Sequence, residues 1–410
     1  MKADPLTAQP VALFATSPDG RLVALLRRRE ASADLVARER VYVHDRATGD
    51  VVFTLDGPDV VRALAWPSPS SLLVARDGRK RASTLTLHEA PDGGEVARCE
   101  LPNLSQHMPT LRFSADGRLA LVTAPEAFDC KGADYEVAHV VALPSLERVA
   151  DIDCAAIGRS LGLTLRARSQ LAFHPDGHLV AAVELANGDE RDAALVLIPV
   201  ARPDGARIVA GGLRFPTSLF WLGPGELVLR VGAYTEGSVV IASLDERFER
   251  ATLRRVTADE SPREPFAVHP DGDRVLVVAT ERSVAPEEAA SGDEWEGDGT
   301  QRIELLRCST GEALDLGARY GWIDSACFAR NGRYAVSVLD GGREARVVDL
   351  ETLRRRDLAV AREDAWVESV RGGEVVTVEY AHQGGWRSLG FIDPGEALGG
   401  EDPHAGEDAD

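Results

Sequence analysis

The sequence predicts an all-β fold built from repeated four-stranded antiparallel units. Three observations predict it. A Gly-containing tight turn, Asp-Gly in its clearest copies, recurs along the chain at intervals of roughly 40–60 residues. Apolar residues alternate with others in the strand before most of these turns, and a Val-, Leu- or Ile-rich strand follows each one.

The first unit reads Thr16-Ser17-Pro18-Asp19-Gly20-Arg21-Leu22-Val23-Ala24-Leu25. Asp-Gly supplies the positive φ that a two-strand turn needs, and the β-branched or Leu-rich run after it is a strand. The second unit is degenerate, with Trp66 before the turn and Leu72-Leu73-Val74-Ala75 after it. The third and fourth are Phe113-Ser114-Ala115-Asp116-Gly117 and Phe173-His174-Pro175-Asp176-Gly177. The fifth is Trp221-Leu222-Gly223-Pro224-Gly225, the sixth Val268-His269-Pro270-Asp271-Gly272, the seventh Phe328-Ala329-Arg330-Asn331-Gly332 and the eighth Val370-Arg371-Gly372-Gly373. The pairs Leu64/Trp66, Leu111/Phe113, Leu171/Phe173, Leu219/Trp221, Phe266/Val268 and Ala326/Phe328 put apolar side chains on one face of the leading strand.

A third strand follows each hairpin, as in Val41-Tyr42-Val43-His44 or Arg346-Val347-Val348-Asp349. A turn such as Ala47-Thr48-Gly49 leads into a short fourth. Four strands per repeat is the pattern of a single β-propeller. Eight hairpins give eight blades; seven blades with an irregular last unit is the alternative. The expected organisation is an N-terminal segment 1–10 that can supply the closing strand, a propeller over 11–394, and a disordered acidic tail over 395–410, which has almost no apolar side chains.

The Phe-Ser-x-Asp-Gly-x-Leu hairpin, with a third strand ending in Asp-x-x-Thr-Gly, resembles bacterial WD40-type propellers over about residues 11–393. The TolB-like repeats share the Pro-Asp-Gly turn. The chain departs from the WD40 pattern where His44-Asp45, His88-Glu89, Val348-Asp349 and Ile392-Asp393 stand in place of Trp-Asp. The resemblance implies a fold and carries almost nothing about function.

Composition narrows the classes of partner. The formal charge is −20, which repels nucleic acid over most of the surface, so general nucleic-acid binding is not expected. No apolar run approaches the roughly 18 residues of a membrane helix, so no membrane insertion is expected. The N-terminus has no apolar core of a secretory signal. Cys99, Cys130, Cys154, Cys308 and Cys327 are scattered without a CxxC pair, which suits a reduced cytoplasmic protein without a zinc site.

Gly158-Arg159-Ser160-Leu161-Gly162 fits the nucleophile-elbow pattern, but that motif needs an α/β-hydrolase domain, and the repeats occupy the chain. His44 and His88 occupy equivalent positions in successive units, as do His174 and His269 in theirs. Repetition separates such residues instead of gathering them on one ion. The recurring Asp19, Asp116, Asp176 and Asp271 read as turn residues that bond local amides. The acidic loop Gly292–Gly299 lacks the alternation of a calcium loop, and no phosphate-binding motif is present. No cofactor is expected.

The expected function is therefore a non-catalytic scaffold, monomeric alone, that binds an unknown protein partner through loops on the face opposite the Asp-Gly turns. Trp295 in the loop 281–301 is the candidate anchor, with Glu287, Glu288, Asp293 and Glu294 around it. Arg27, Arg28, Arg29, Arg79 and Arg81 form a cluster of opposite sign in the first two units. A charge run is ordinarily just a solvated face. The alternative function is a propeller enzyme or small-molecule binder that uses the central channel. The leading strands, which border that channel, are mostly small and apolar, with Arg62, Arg112 and Glu368 as exceptions, so no enzyme is expected.

Overall fold

The structure, a computed structural model, describes residues 11–27, 39–57, 59–77, 83–102, 110–123, 137–163, 171–186, 189–214, 216–232, 237–257, 262–281, 300–320, 323–329, 332–339, 344–359, 365–371, 374–381 and 385–399. Each repeat folds as an antiparallel meander. The innermost strands are Val11–Thr16, Val61–Ser68, Thr110–Phe113, Leu171–Phe173, Thr217–Gly223, Arg263–Val268, Ile323–Ala329 and Ala365–Arg371. They surround the central channel of a propeller.

The described strands make seven sheets. Six have four strands. The seventh has seven, because the three strands of the eighth unit continue into the four strands of blade 1. The seam is the pairing of Val11 with Trp386, which closes the ring. The sheet count matches the seven-blade alternative, although the chain carries eight hairpin units. The proposed closing strand at 1–10 lies outside the described residues.

The core is a series of apolar layers between neighbouring blades. Blades 1 and 2 share Val41, Val43, Phe53, Leu64 and Trp66. Blades 3 and 4 share Leu121, Val140, Ile152, Leu171 and Val196. Blades 4 and 5 share Leu195, Leu197, Leu219, Trp221 and Leu229. The period-2 pattern explains why: a blade buried on both faces needs apolar residues on both sides of its middle strands, and the second strand of blade 1, Leu22–Arg27, buries Leu22 through Leu26 without a break. Indole nitrogens stitch the layers together. Trp66 Nε1 donates to the Ala15 carbonyl at 3.1 Å, and Trp221 Nε1 to the Ala172 carbonyl at 3.0 Å.

Among the described residues, two α-helices interrupt the pattern. Helix α1, Cys154–Leu161, follows directly on the fourth strand of blade 3. Asp153 caps it through the Ala156 amide at 2.8 Å, Gly162 ends it at φ 71°, and Ile157 and Leu161 pack between blades 3 and 4. Helix α2, Pro394–Gly399, occupies the start of the segment expected to be a disordered tail. It docks on blade 7, burying Ala397 and Leu398. Arg354 and Arg356 donate to the Leu398 and Ala397 carbonyls at 2.8 and 2.6 Å, which satisfies acceptors that a helix end otherwise leaves to water. Residues 400–410 lie outside the described set.

Candidate functional site

On the face of the Asp-Gly turns, polar side chains are engaged by nearby backbone. Asp116 accepts from Ser114 Oγ at 2.6 Å and the Arg118 amide at 3.0 Å. Asp271 accepts from the Asp273 and Arg274 amides at 3.0 and 3.2 Å and from Arg274 Nε at 2.6 Å. His174 accepts the Asp176 amide on Nδ1 at 3.0 Å and donates Nε2–H to the Pro224 carbonyl of the next blade at 2.9 Å. His269 repeats this with the Asp271 amide and the Gly332 carbonyl. His44 and His88 each bond a turn carbonyl, of Gly49 and Gly93, through Nδ1.

These bonds decide two questions of chemistry. His174, Asp176 and His178 bring possible ligand atoms within 4.8 Å of one another. Both nitrogens of His174 are already committed, so the group lacks the three free ligands that a metal needs. Ser160 lies inside α1, with its hydroxyl donating to the Ile157 carbonyl at 2.8 Å. It does not stand on a strand-to-helix elbow.

The residues expected to bind a partner fall almost entirely outside what the structure describes. Trp295, Glu287, Glu288, Asp293, Glu294, Arg28, Arg29, Arg79 and Arg81 lie outside the described residues. Arg27 ends the second strand of blade 1 opposite Arg40, and its side chain is likewise outside. Two neighbouring arginines are structural: Arg40 pairs with Asp56, and Arg76 is buried against the Asp59 carbonyl. Burial pulls the Arg76 guanidinium below the ordinary arginine range.

The opposite, loop-bearing face holds a cleft of about 120 Å³ where blades 5, 6 and 7 meet. Arg230 reaches it from the second strand of blade 5, Arg263 and Glu264 from the inner strand of blade 6, and Gln301 from its third strand. Phe266, Val278 and Ile323 supply apolar wall. Glu264 is held from two sides: Ser218 Oγ donates to Oε1 at 2.7 Å, and Arg230 Nη1 stands 3.9 Å from Oε2. Arg263 pairs with the buried Glu304 at 2.7 Å. Gln301 Oε1 accepts the Ile323 amide at 2.6 Å, which leaves its amide nitrogen as a donor with no partner among the described residues.

Backbone strain coincides with this site. Four described non-glycine residues have positive φ. Leu146, Phe248 and Leu353 occupy the turn before the fourth strand, where other blades place Gly49, Gly93 and Gly311. Ser218, at φ 54°, lies instead within an inner strand, beside Glu264. Gly237 adds a steric condition, because a Cβ there would collide with the Arg230 guanidinium. Sequence reasoning missed this cleft: its polar residues come from separate strands of two repeats, so no local motif announces them.

No family model matches the chain, and no curated protein matches it. Solved structures do. An oligogalacturonate lyase, solved in complex with manganese, is 9% identical at a TM-score of 0.54, with 94% of this chain and 98% of that chain covered. A eukaryotic initiation factor is 11% identical at 0.51, with 94% and 89% covered. The Dos1 propeller is 12% identical at 0.49, with 95% and 94% covered. At such identities the likeness is one of fold, and the fold is that of a β-propeller repeat protein. The expectation that the protein is not an enzyme is corrected by the lyase. Its chain is covered to 98% by this one, so a propeller of this extent is compatible with catalysis.

Proposed function

We propose that the protein is a propeller enzyme that binds a small polar substrate in the cleft between blades 5, 6 and 7. One observation carries the reading: Arg230, Arg263, Glu264 and Gln301 converge from three strands of two blades around one cleft. A few placed polar groups over an apolar wall is the usual make-up of a small-molecule site. Glu264 is the group positioned to move a proton, since Ser218 and Arg230 fix both of its oxygens. Arg230 and Gln301 are placed to hold an acidic or hydroxylated substrate, and Phe266 offers an apolar surface to its other face. The recurring Pro-Asp-Gly hairpins support a WD40-type or TolB-like origin for the scaffold.

The first substrates to try are oligogalacturonates, because a propeller of this extent carries out a lyase reaction in the structural neighbour. Elimination removes a proton beside the carboxylate and expels the glycosidic oxygen, leaving a conjugated double bond that absorbs in the ultraviolet. The expected result is product formation, or for other sugar acids a ligand-dependent rise in melting temperature, that Glu264→Gln abolishes without unfolding the protein. A wild-type chain that neither turns over nor is stabilised by any member of a sugar-acid panel refutes the reading.

A further inference from the structure

One buried histidine has a hydrogen-bond demand that its counterparts lack. A neutral imidazole offers one N–H and one lone pair, so it serves one acceptor and one donor. His174 fits that rule, with the Asp176 amide donating to Nδ1 and Nε2 donating to the Pro224 carbonyl. His88 fits it as well: Nδ1 donates to the Gly93 carbonyl, and the Thr86 hydroxyl donates to Nε2. His139 does not fit. Its Nδ1 stands 2.8 Å from Asp151 Oδ1, and its Nε2 stands 2.9 Å from the Pro102 carbonyl oxygen. A carboxylate and a carbonyl only accept. The ring satisfies both of them only with a proton on each nitrogen, as an imidazolium.

The sheet fixes this arrangement. His139 belongs to the third strand of blade 3, where it pairs with Val122 of the second strand and Asp151 of the fourth. Ala138 and Val140, on either side of it, enter the layer between blades 3 and 4, whereas Val141 enters the layer between blades 2 and 3. Strand alternation puts His139 on the side of Val141, towards blade 2. Pro102 directly follows the outermost strand of blade 2, Gly94–Leu101. The ring therefore ties the chain leaving blade 2 to the body of blade 3. It is only 1% exposed, so water does not replace a bond that the ring fails to make. Few charges surround it. Arg148 Nε, on the fourth strand, stands 3.5 Å from the same Asp151 oxygen. From blade 2, Cys99 lies close to Arg148 and Asp151, with its thiol held above the ordinary range by burial, and the Glu100 carboxylate follows it. The second strand contributes the apolar Val122.

We propose that His139 is a proton-operated clasp between blades 2 and 3, closed while the ring carries two protons and opened at Pro102 when it loses one. The carboxylate is the stronger acceptor, so the remaining proton stays on Nδ1 for Asp151. The Nε2 lone pair then faces the Pro102 carbonyl, and attraction turns to repulsion. Folding in this geometry favours the doubly protonated ring. The clasp's contribution is therefore complete below the titration of an unfolded histidine, at about pH 6.5, and is lost as pH rises above it. The junction is separate from the Glu264 cleft and does not depend on the reading given for that cleft.

The test is ring-nitrogen NMR of the full chain carrying ¹⁵N-labelled histidine, together with melting curves from about pH 5.5 to about pH 9. The His139 signals are those that disappear in His139→Gln. At about pH 6 they are expected to report a proton on both nitrogens, whereas His88, held below the ordinary histidine range by burial, reports one. His139→Gln keeps a single amide donor at this place. It is expected to melt below the wild type by about 2 °C or more near pH 6, with the gap closing as pH rises. Asp151→Asn removes the carboxylate that favours the second proton. It is expected to shift the same signals and to flatten the pH dependence, so it carries the test if His139→Gln does not fold. Three results each overturn the proposal: one ring proton on His139 at about pH 6, a melting gap that stays constant or widens as pH rises, or an unchanged pH dependence in Asp151→Asn.

Discussion

The two faces of the propeller use the same kinds of side chain in opposite ways. On the turn face, His174, His269, Asp116 and Asp271 are engaged by backbone a few residues away or in the next blade. On the loop-bearing face, Arg230, Glu264 and Gln301 come from separate strands and surround a cleft. The turn-face groups recur from repeat to repeat; Glu264 with its Ser218 contact does not, although the bond of Gln301 to the Ile323 amide repeats that of Glu39 to the Val61 amide. In a repeat protein, recurrence marks the parts that build the ring, and departure from recurrence marks the places free to acquire chemistry.

The comparison predicts where stability resides, and the largest effect is expected between blades on the side of the turns. Trp221 is buried, packs with Leu219 and Leu229, and donates its indole N–H to the Ala172 carbonyl. Trp221→Ala removes a large buried ring and leaves a cavity at a blade junction, so a loss of about 3–5 kcal/mol is expected in urea unfolding. Each blade of a repeat protein depends on its neighbours to cover its faces, so the transition should move as a whole. Glu264→Gln should leave the transition nearly in place. A cleft variant as damaging as Trp221→Ala would break the contrast and make the loop face structural as well.

A smaller effect, with a definite sign, is expected at Asp271. Burial works against its charge, but the Asp273 and Arg274 amides, the Arg274 guanidinium and His269 outweigh it and hold the carboxyl well below the usual range. A folded pKa below the unfolded value means that its stabilisation is complete above the unfolded pKa of about 4 and is lost as pH falls towards the folded one. The carboxylate is 39% exposed, so solvent screens much of this. Asp271→Asn should therefore lower stability modestly at pH 7 and approach the wild type in acid. Chemical denaturation at a series of pH values down to the acid limit measures it; a gap that widens on acidification would contradict the turn-anchor role.

Much of the ring was legible because its signals are local and repeated. Asp116-Gly117 needs only its own neighbours to turn, and Leu111 and Phe113 reveal a buried face by their spacing. The cleft was not legible for the converse reason. Arg230 and Gln301 are ordinary strand residues until the ring brings them to Glu264, and the strain at Ser218 has no counterpart in residue type. The start of the tail was misread through its composition: two apolar residues, Ala397 and Leu398, suffice for one turn of helix when Arg354 and Arg356 wait on blade 7 to satisfy its carbonyls.

The smallest expected effect belongs to the residue with the most suggestive sequence motif. Ser160 sits in Gly-x-Ser-x-Gly, yet it is the seventh residue of α1. Its hydroxyl bonds the Ile157 carbonyl one turn back, a contact that competes with the helix's own ladder. Alanine is the better helix former at such a site, and the lost back-bond offsets much of that gain. Ser160→Ala should therefore change stability by no more than about 0.5 kcal/mol in either direction. Turnover or binding in the Glu264 cleft should be unchanged, because Ser160 belongs to the helix between blades 3 and 4 and the cleft to blades 5, 6 and 7. Loss of activity in this variant, with the fold intact, would mean that the local motif outweighs the assembled cleft, and the contrast between recurring structure and convergent site would fail at its most direct test.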